Sequence, residues 1–280
     1  MQQSGIKETF DFAARHHRAG NLSRAEKLYE KVLRKDPDNS SALHSLGVLY
    51  YQSGRNEKAL SFLKKASKLS PDIPEFHNTL GSALNAAGKK REAIESFLQA
   101  VRLNPVFAMG YCNLGNAQRE AGMYKQAEKN LQKALDLKPD YVNAYNNLGN
   151  MYRDNKEPMK ALECYQKAAE INPSSAGIHN NLAFIHRVTG NPQAAVDSCR
   201  QALKLCSDFQ DAYANLGLAL KDMGRTDEAV ENCLKAIELE PENPLGHNYL
   251  GTCFYSQGRL DDALDCYTKA VELNDKYTEA

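Results

Sequence analysis

The chain contains no tryptophan and carries no net charge: 35 lysines and arginines stand against 35 aspartates and glutamates in 280 residues. Aromatic packing therefore falls to tyrosine and phenylalanine. The charge balance removes the long-range pull towards nucleic acid or an anionic membrane that an excess of basic residues exerts, so neither is expected as a partner. No apolar run approaches the roughly 18 residues that a membrane-spanning helix needs. The opening MQQSGIKETF lacks the basic and apolar regions of a secretory signal. The seven cysteines are odd in number and include no CxxC pair. That pattern speaks against a disulfide framework or a zinc site and for a reducing compartment. A cytoplasmic protein with no cofactor is the expectation. At 42% apolar residues the chain is not intrinsically disordered.

Signatures of catalysis are missing too. There is no GxxxxGK[ST], no GxGxxG after a strand, no HExxH and no GxSxG. An enzyme brings unlike residues to one place, whereas nearly every polar residue here has a counterpart 34 residues away. No catalytic site is expected. His179 and His186, seven apart, would share a helical face as a metal pair, but that face also carries Leu182. They read as packing or interface histidines. Cys199 and Cys206 share the same spacing. Cys199 stands in the slot of Tyr165, Cys233 and Tyr267 and reads as core filling, with nothing nearby to lower a thiol pKa. Tyr50, Tyr111, Tyr145, Tyr152 and Tyr213 fall at apolar positions of first helices. They read as packing residues rather than a stacking platform for bases.

What the chain does contain is a period. Prolines at 37, 71, 105, 139, 173 and 241 keep one register of 34 residues, with Ser207 and Asp275 in the two vacant slots. Glycines at 47, 81, 115, 149, 217 and 251 keep the same step, with Ala13 and Ala183 filling the gaps. A second glycine series, from Gly20 to Gly258, is interrupted only by Lys156. Alanines at 25, 59, 93, 127, 161, 195, 229 and 263 never miss. Eight units follow: 6–39, 40–73, 74–107, 108–141, 142–175, 176–209, 210–243 and 244–277. Within one unit, Leu43, Leu46 and Tyr50, then Leu60, Leu63 and Ala66, recur at helical spacing. A turn glycine separates the two runs, and a proline stops the second. Each unit is thus expected to be helix, turn, helix, turn. A single such pair cannot bury its apolar stripe alone, so neighbours must cover one another. Lys156 with Pro158 predicts a slightly altered turn and no lost repeat, since Pro is tolerated in a first helical turn. Ser207 predicts a looser connection.

The pattern resembles the tetratricopeptide repeat family over nearly the whole chain. The resemblance implies an all-α, right-handed α–α superhelix of eight helix-turn-helix repeats, one solenoid domain over 1–280, with a concave groove. Solenoids need polar end caps, and none follows the eighth unit. The expectation is further repeats beyond it or pairing of the end faces between copies.

Numbered from the first residue of each unit, positions 2, 6, 9 and 13 of the first helix lie on one side, the side that lines the groove in this family. Position 6 reads Asp11, Ser45, Thr79, Asn113, Asn147, Asn181, Asn215 and Tyr249. Position 9 adds Asn116 and Asn150, and position 2 adds Asn143 and Asp211. A side-chain amide offers the donor and acceptor that a peptide bond complements. Helices packed about 8–10 Å apart would meet roughly every third residue of an extended chain that advances about 3.3 Å per residue. The expected partner is therefore a protein segment in extended conformation. Alternatively, the amides satisfy neighbouring helices or solvate the surface. Arg119, Arg153, Arg187 and Lys221 at position 12, beside Glu120, Asp154 and Asp222, would either hold charged ligand side chains at the groove edge or pair with one another. The clamp by which chaperone-binding members grip a terminal carboxylate is unsupported, because position 6 carries no base. Residues 175–220 are similar to repeats in the superhelical arm of O-linked N-acetylglucosamine transferase. That likeness implies an asparagine ladder at Asn113, Asn147, Asn181 and Asn215 holding extended substrate protein, with no catalytic region here to act on it.

Overall fold

The computed structural model describes residues 2–274, with side chains from residue 5 onward. Among them every regular element is an α-helix, and the chain divides into two compact units, Met1–Pro139 and Asp140–Ala280. The first contains α1 (Gln2–Arg18), α2 (Leu22–Lys35), α3 (Ser40–Gln52), α4 (Asn56–Leu69), α5 (Pro74–Ala86), α6 (Lys90–Leu103), α7 (Ala108–Glu120) and α8 (Tyr124–Leu137). The second contains α9 (Val142–Asp154), α10 (Pro158–Ile171), α11 (Ala176–Val188), α12 (Pro192–Leu205), α13 (Gln210–Asp222), α14 (Thr226–Leu239), α15 (Pro244–Ser256) and α16 (Leu260–Leu273). In each unit the helices pair in sequence order, and the second helix of a pair also packs on the first helix of the next. Each unit is thus a stack of four helix-turn-helix hairpins, the build of an α–α superhelix.

The small-residue columns explain the pairing. Every alanine of the unbroken series is at most 2% exposed. Gly149 on α9 meets the ring of Tyr165 on α10 so closely that an added Cβ would lie 2.6 Å from Cε1. A methyl group there would force the helices apart. Where Ala183 fills that column, the residue in register on the second helix is the small Cys199, and both are buried in one cluster. Larger apolar residues fill the seams. Tyr29, Leu46, Leu63, Leu84 and Leu114 are buried in the first unit, and Tyr165, Ile185 and Leu220 in the second. Each contributes about 1.5–3 kcal/mol by leaving water.

The turn of the fifth hairpin differs from the altered turn expected of it. Lys156 takes φ 61°, close to the 72–78° of the turn glycines. Its N–H bonds to Arg153 O at 3.0 Å, and Glu157 N–H reaches back to Tyr152 O at 2.8 Å. The same two bonds hold Gly122 and Met123 in the fourth hairpin. This closing pattern stops α9 as it stops its neighbours, and the backbone imposes it on a lysine. Nor does Ser207 change how α12 ends. Cys206 N–H caps Ala202 O at 2.9 Å, as Lys138 caps Ala134 after α8. Among the described residues no helix is long and apolar enough to cross a membrane.

Two predictions follow from this packing. Replacing Lys156 by glycine should stabilise the protein by up to about 1.5 kcal/mol: relief of a left-handed non-glycine residue gives about 1–2 kcal/mol, and glycine's extra unfolded-state entropy takes back about 0.5–1. A raised urea midpoint checks it; an unchanged or lowered one counts against strain at this turn. His44, stacked on Phe76 at 4.3 Å, has its pKa pushed down to about 4 by burial, only partly offset by Glu75. The folded state therefore prefers neutral His44. Its stability is full above the unfolded pKa near 6.5 and drains as pH falls towards 4. Between pH 7 and 5 the loss should be about 2 kcal/mol, and His44→Phe should flatten that part of the pH–stability curve.

Candidate functional site

On the first-helix face that carries positions 2, 6 and 9, the amides are already in use. Asn113 Nδ2 donates to Asn78 Oδ1 at 3.0 Å, Asn181 Nδ2 to Asn146 Oδ1 at 2.8 Å, and Asn215 Nδ2 to Asn180 Oδ1 at 2.9 Å. His44 Nε2 and Thr79 Oγ1 make the corresponding contact at 3.1 Å. Every one of these rungs joins position 6 of one hairpin to position 5 of the hairpin before it. Two lie in the first unit and two in the second. Asn147 stands at the same register on α9 and is half-buried.

The rungs revise the picture of an amide facing a ligand with both of its functions. One hydrogen of each of these three donating asparagines ties adjacent hairpins together. What remains to a ligand is the Oδ1 acceptor and the second hydrogen. The alternative that these amides satisfy neighbouring helices is thus realised for one donor at each rung. The position-5 partners, Asn78, Asn146 and Asn180, were not singled out from the sequence. The doubled asparagines at 146–147 and 180–181 were the available signal, since two adjacent amide columns can bond across a repeat boundary.

At position 9, Asn116 Nδ2 donates to Glu120 Oε1 at 2.9 Å, and its Oδ1 accepts from Arg119 Nε at 3.3 Å. Asn150 Oδ1 accepts the Tyr165 hydroxyl at 2.7 Å. The flanking charges pair among themselves. Arg119 lies 3.4 Å from Glu120, Arg153 3.1 Å from Asp154, Lys221 3.0 Å from Asp222, and Arg187 3.6 Å from the same Asp222. Such partly exposed pairs contribute about 0–1 kcal/mol each; their effect here is to leave the rim near neutral.

Each unit has a cavity on this face. In the first, about 220 Å³ is lined by Tyr51, Ser82, Asn85, Ala86, Phe97, Asn113 and Asn116. In the second, about 320 Å³ is lined chiefly by Asn143, Asn146, Asn172, Asn180, Asn181, Ile178, Phe209 and Asp211. Burial, and then the nearby Glu240, push the Asp211 carboxyl above its ordinary range.

The remaining candidates fall elsewhere. His179 donates Nε2–H to Pro173 O at 2.8 Å, as His77 does to Pro71 O and His247 to Pro241 O, both at 2.9 Å. It is one of three histidines at position 4 that satisfy a proline carbonyl six residues back, a register the sequence displays but the pairing with His186 obscured. Burial lowers the pKa of His186. Cys199 is fully buried, its thiol pushed up to about 12 by that burial, and it fills core as expected. Among the described residues no group of three or more His, Cys, Asp or Glu is placed to hold a metal ion.

Comparison with known proteins agrees with this architecture. Five family models match, each described as a tetratricopeptide or TPR repeat. One matches residues 142–175, 211–243 and 244–277; the others match 16–82, 115–156, 164–197 and 74–107. Among solved structures, the chain is similar to the MamA protein, with 28% identity and a TM-score of 0.51 over 62% of this chain and 96% of that one. It is similar to YrrB, described as a TPR protein with an unusual peptide-binding site, with 22% identity and a TM-score of 0.51 over 66% and 95%. It is also similar to a chain of the APC/C hetero-tetramer Cut9-Hcn1, with 17% identity and a TM-score of 0.71 over 91% of this chain and 50% of that one. The last two likenesses are of fold alone. No curated protein sequence matches the chain. Repeat period, paired helices and family models converge: this is a chain of tetratricopeptide repeats.

Proposed function

We propose that the chain is a protein-interaction scaffold that holds an extended segment of a partner protein against its amide-lined first-helix face. The observation that carries this reading is the placement of the cavities. One in each unit is lined by the position-6 asparagine, Asn113 in the first and Asn181 in the second, together with further asparagines of other registers. Neutral, periodic amides suit a backbone that repeats and carries no charge of its own. At about 0.5–1.5 kcal/mol net per hydrogen bond, the affinity is modest and accumulates with the length of segment engaged. Asn147, Asn150 and Asn215, with the paired Arg119, Arg153, Arg187 and Lys221, belong to the same proposed surface.

The likeness of residues 175–220 to the arm of O-linked N-acetylglucosamine transferase favours one version of this reading, in which the held segment is a substrate presented to an enzyme. On α16, Leu260 and Leu264 are more than 60% exposed. They favour a further association, between copies through that helix, which light scattering at rising concentration checks with Leu264→Glu as the control.

The main reading is tested by changing Asn113, Asn147, Asn181 and Asn215 together to alanine. Three of these residues also carry rungs, so the melting temperature should fall while helical content at low temperature is kept. Capture of partner segments, identified by pull-down and peptide mapping, should drop at least about tenfold, the loss of more than one net hydrogen bond. Undiminished capture by the folded variant would place the interaction on another face.

A further inference from the structure

The charge balance of the whole chain conceals a division between its two units. Residues 1–139 hold 22 lysines and arginines against 14 aspartates and glutamates, and residues 140–280 hold 13 against 21. The first unit is therefore positive by eight and the second negative by eight. The helices α1 and α16 share in this division. The last turn of α1 carries Arg15, His16, His17 and Arg18, whereas α16 has Asp261 and Asp262 in its first turn and then the exposed Asp265. Arg15 Nε and Arg18 Nε donate to carbonyls of their own helix, and neither guanidinium pairs with a carboxylate among the described residues.

Both helices also expose apolar side chains at positions that other hairpins bury. Leu264, at position 21, is 64% exposed, where Val196 and Val230 at the same position are 0% and 9%. Val271, at position 28, is 41% exposed, where Val101 and Leu135 are 7% and 6%. Phe12, at position 7, is 38% exposed, where the leucines of that register, from Leu46 to Leu250, are all buried. Contacts inside the stacks show what covers such positions. Position 3 of a first helix lies on position 28 of the hairpin before it: a Cβ on Gly246 would stand 3.1 Å from Ile237 Cγ1. Position 10 lies on position 24, with Cys253 Sγ 3.7 Å from Cys233 Sγ. The two helices thus run antiparallel, and the end of the first helix lies over the start of the second.

We propose that α16 receives α1 of a second copy of the chain, in the register by which one hairpin follows another within a stack. The proposal rests on the association through α16 inferred above and names the surface that meets it. Charge decides between the faces a second copy offers. In a like-with-like pair, α16 would set Asp261, Asp265 and Glu272 against the same carboxylates, and like charges repel. Against α1, the acidic start of α16 lies under Arg15 and Arg18, and Phe12, between positions 3 and 10, falls on the strip between Tyr267 and Val271. The fit is not that of an inner seam. Positions 3 and 10 of α1 are Glu8 and Arg15, where every other hairpin buries an uncharged residue. The joint is therefore weaker than the seams inside a stack and depends on unscreened charge. It joins unlike faces, so each added copy presents one of each again.

The test uses the full chain. Its average mass, by sedimentation or light scattering, should rise with concentration. The association should weaken about tenfold between about 0.01 M and about 0.15 M salt, as the Debye length shortens from about 30 Å to about 8 Å. Leu264→Glu blocks the α16 face, and the double variant Arg15→Glu/Arg18→Glu reverses the charge of the α1 face; circular dichroism checks that both fold. Each variant alone should lose the association. An equimolar mixture should regain a one-to-one pair, because each variant keeps the face that the other lacks. Association that survives Arg15→Glu/Arg18→Glu but not Leu264→Glu, or that strengthens with salt, would overturn the α1 contact and leave pairing between α16 helices. A mass that stays that of one copy at every concentration and both salts would remove the contact together with the association on which it rests. The salt comparison uses the unaltered protein and survives a folding defect in either variant.

Discussion

The structure depends on a missing methyl group. Where the two helices of a hairpin approach, the first helix carries glycine or alanine; opposite four of the glycines the second helix drives a large side chain into the space, and opposite Ala183 and Gly217 it carries a small cysteine. Leu63 lies under Gly47, Phe97 under Gly81, Leu131 under Gly115 and Tyr165 under Gly149, each so close that an added Cβ would fall within 2.6–2.7 Å of the side chain. Close approach sets the shape of the hairpin. The four similar hairpins of each unit then present similar faces, and stacking is the way such faces leave water.

That spacing also determines the bonds between hairpins. Hydrogen bonding is short-ranged and directional, so a rung forms only where positions 6 and 5 of consecutive hairpins come within about 3 Å. It forms between different residue types, an asparagine pair in three cases and His44 with Thr79 in the fourth. The geometry selects the rung and the sequence supplies whichever polar pair will fill it. One consequence is functional. On the proposed reading, the amides that would hold an extended chain are also the stitching between hairpins, so binding and cohesion within each stack would draw on the same side chains.

Much of this was legible from the residues. The 34-residue period, the helix boundaries near Pro37 or Pro71 and the buried alanine column follow from local rules, because helical spacing, a left-handed turn and a proline stop are each decided within a few residues. The core role of Cys199 was legible for a like reason: its register neighbours are tyrosines. What escaped was relational. His179 reads as half of a pair with His186 until its ring is seen on the Pro173 carbonyl. Nor does position 12 announce the bond from Asn85 Nδ2 to Glu120 Oε2, 2.8 Å across a repeat boundary.

By itself, the sequence determined that this chain forms repeated helical hairpins, since the period, the apolar spacing and the small-residue columns permit little else. Tertiary structure alone decided which amides face each other across a repeat boundary and that His44 would meet Thr79 in the same way. Those outcomes depend on separations of 2.8–3.1 Å between residues 35 positions apart, and the linear order shows at most the doubled asparagines, not which atoms meet.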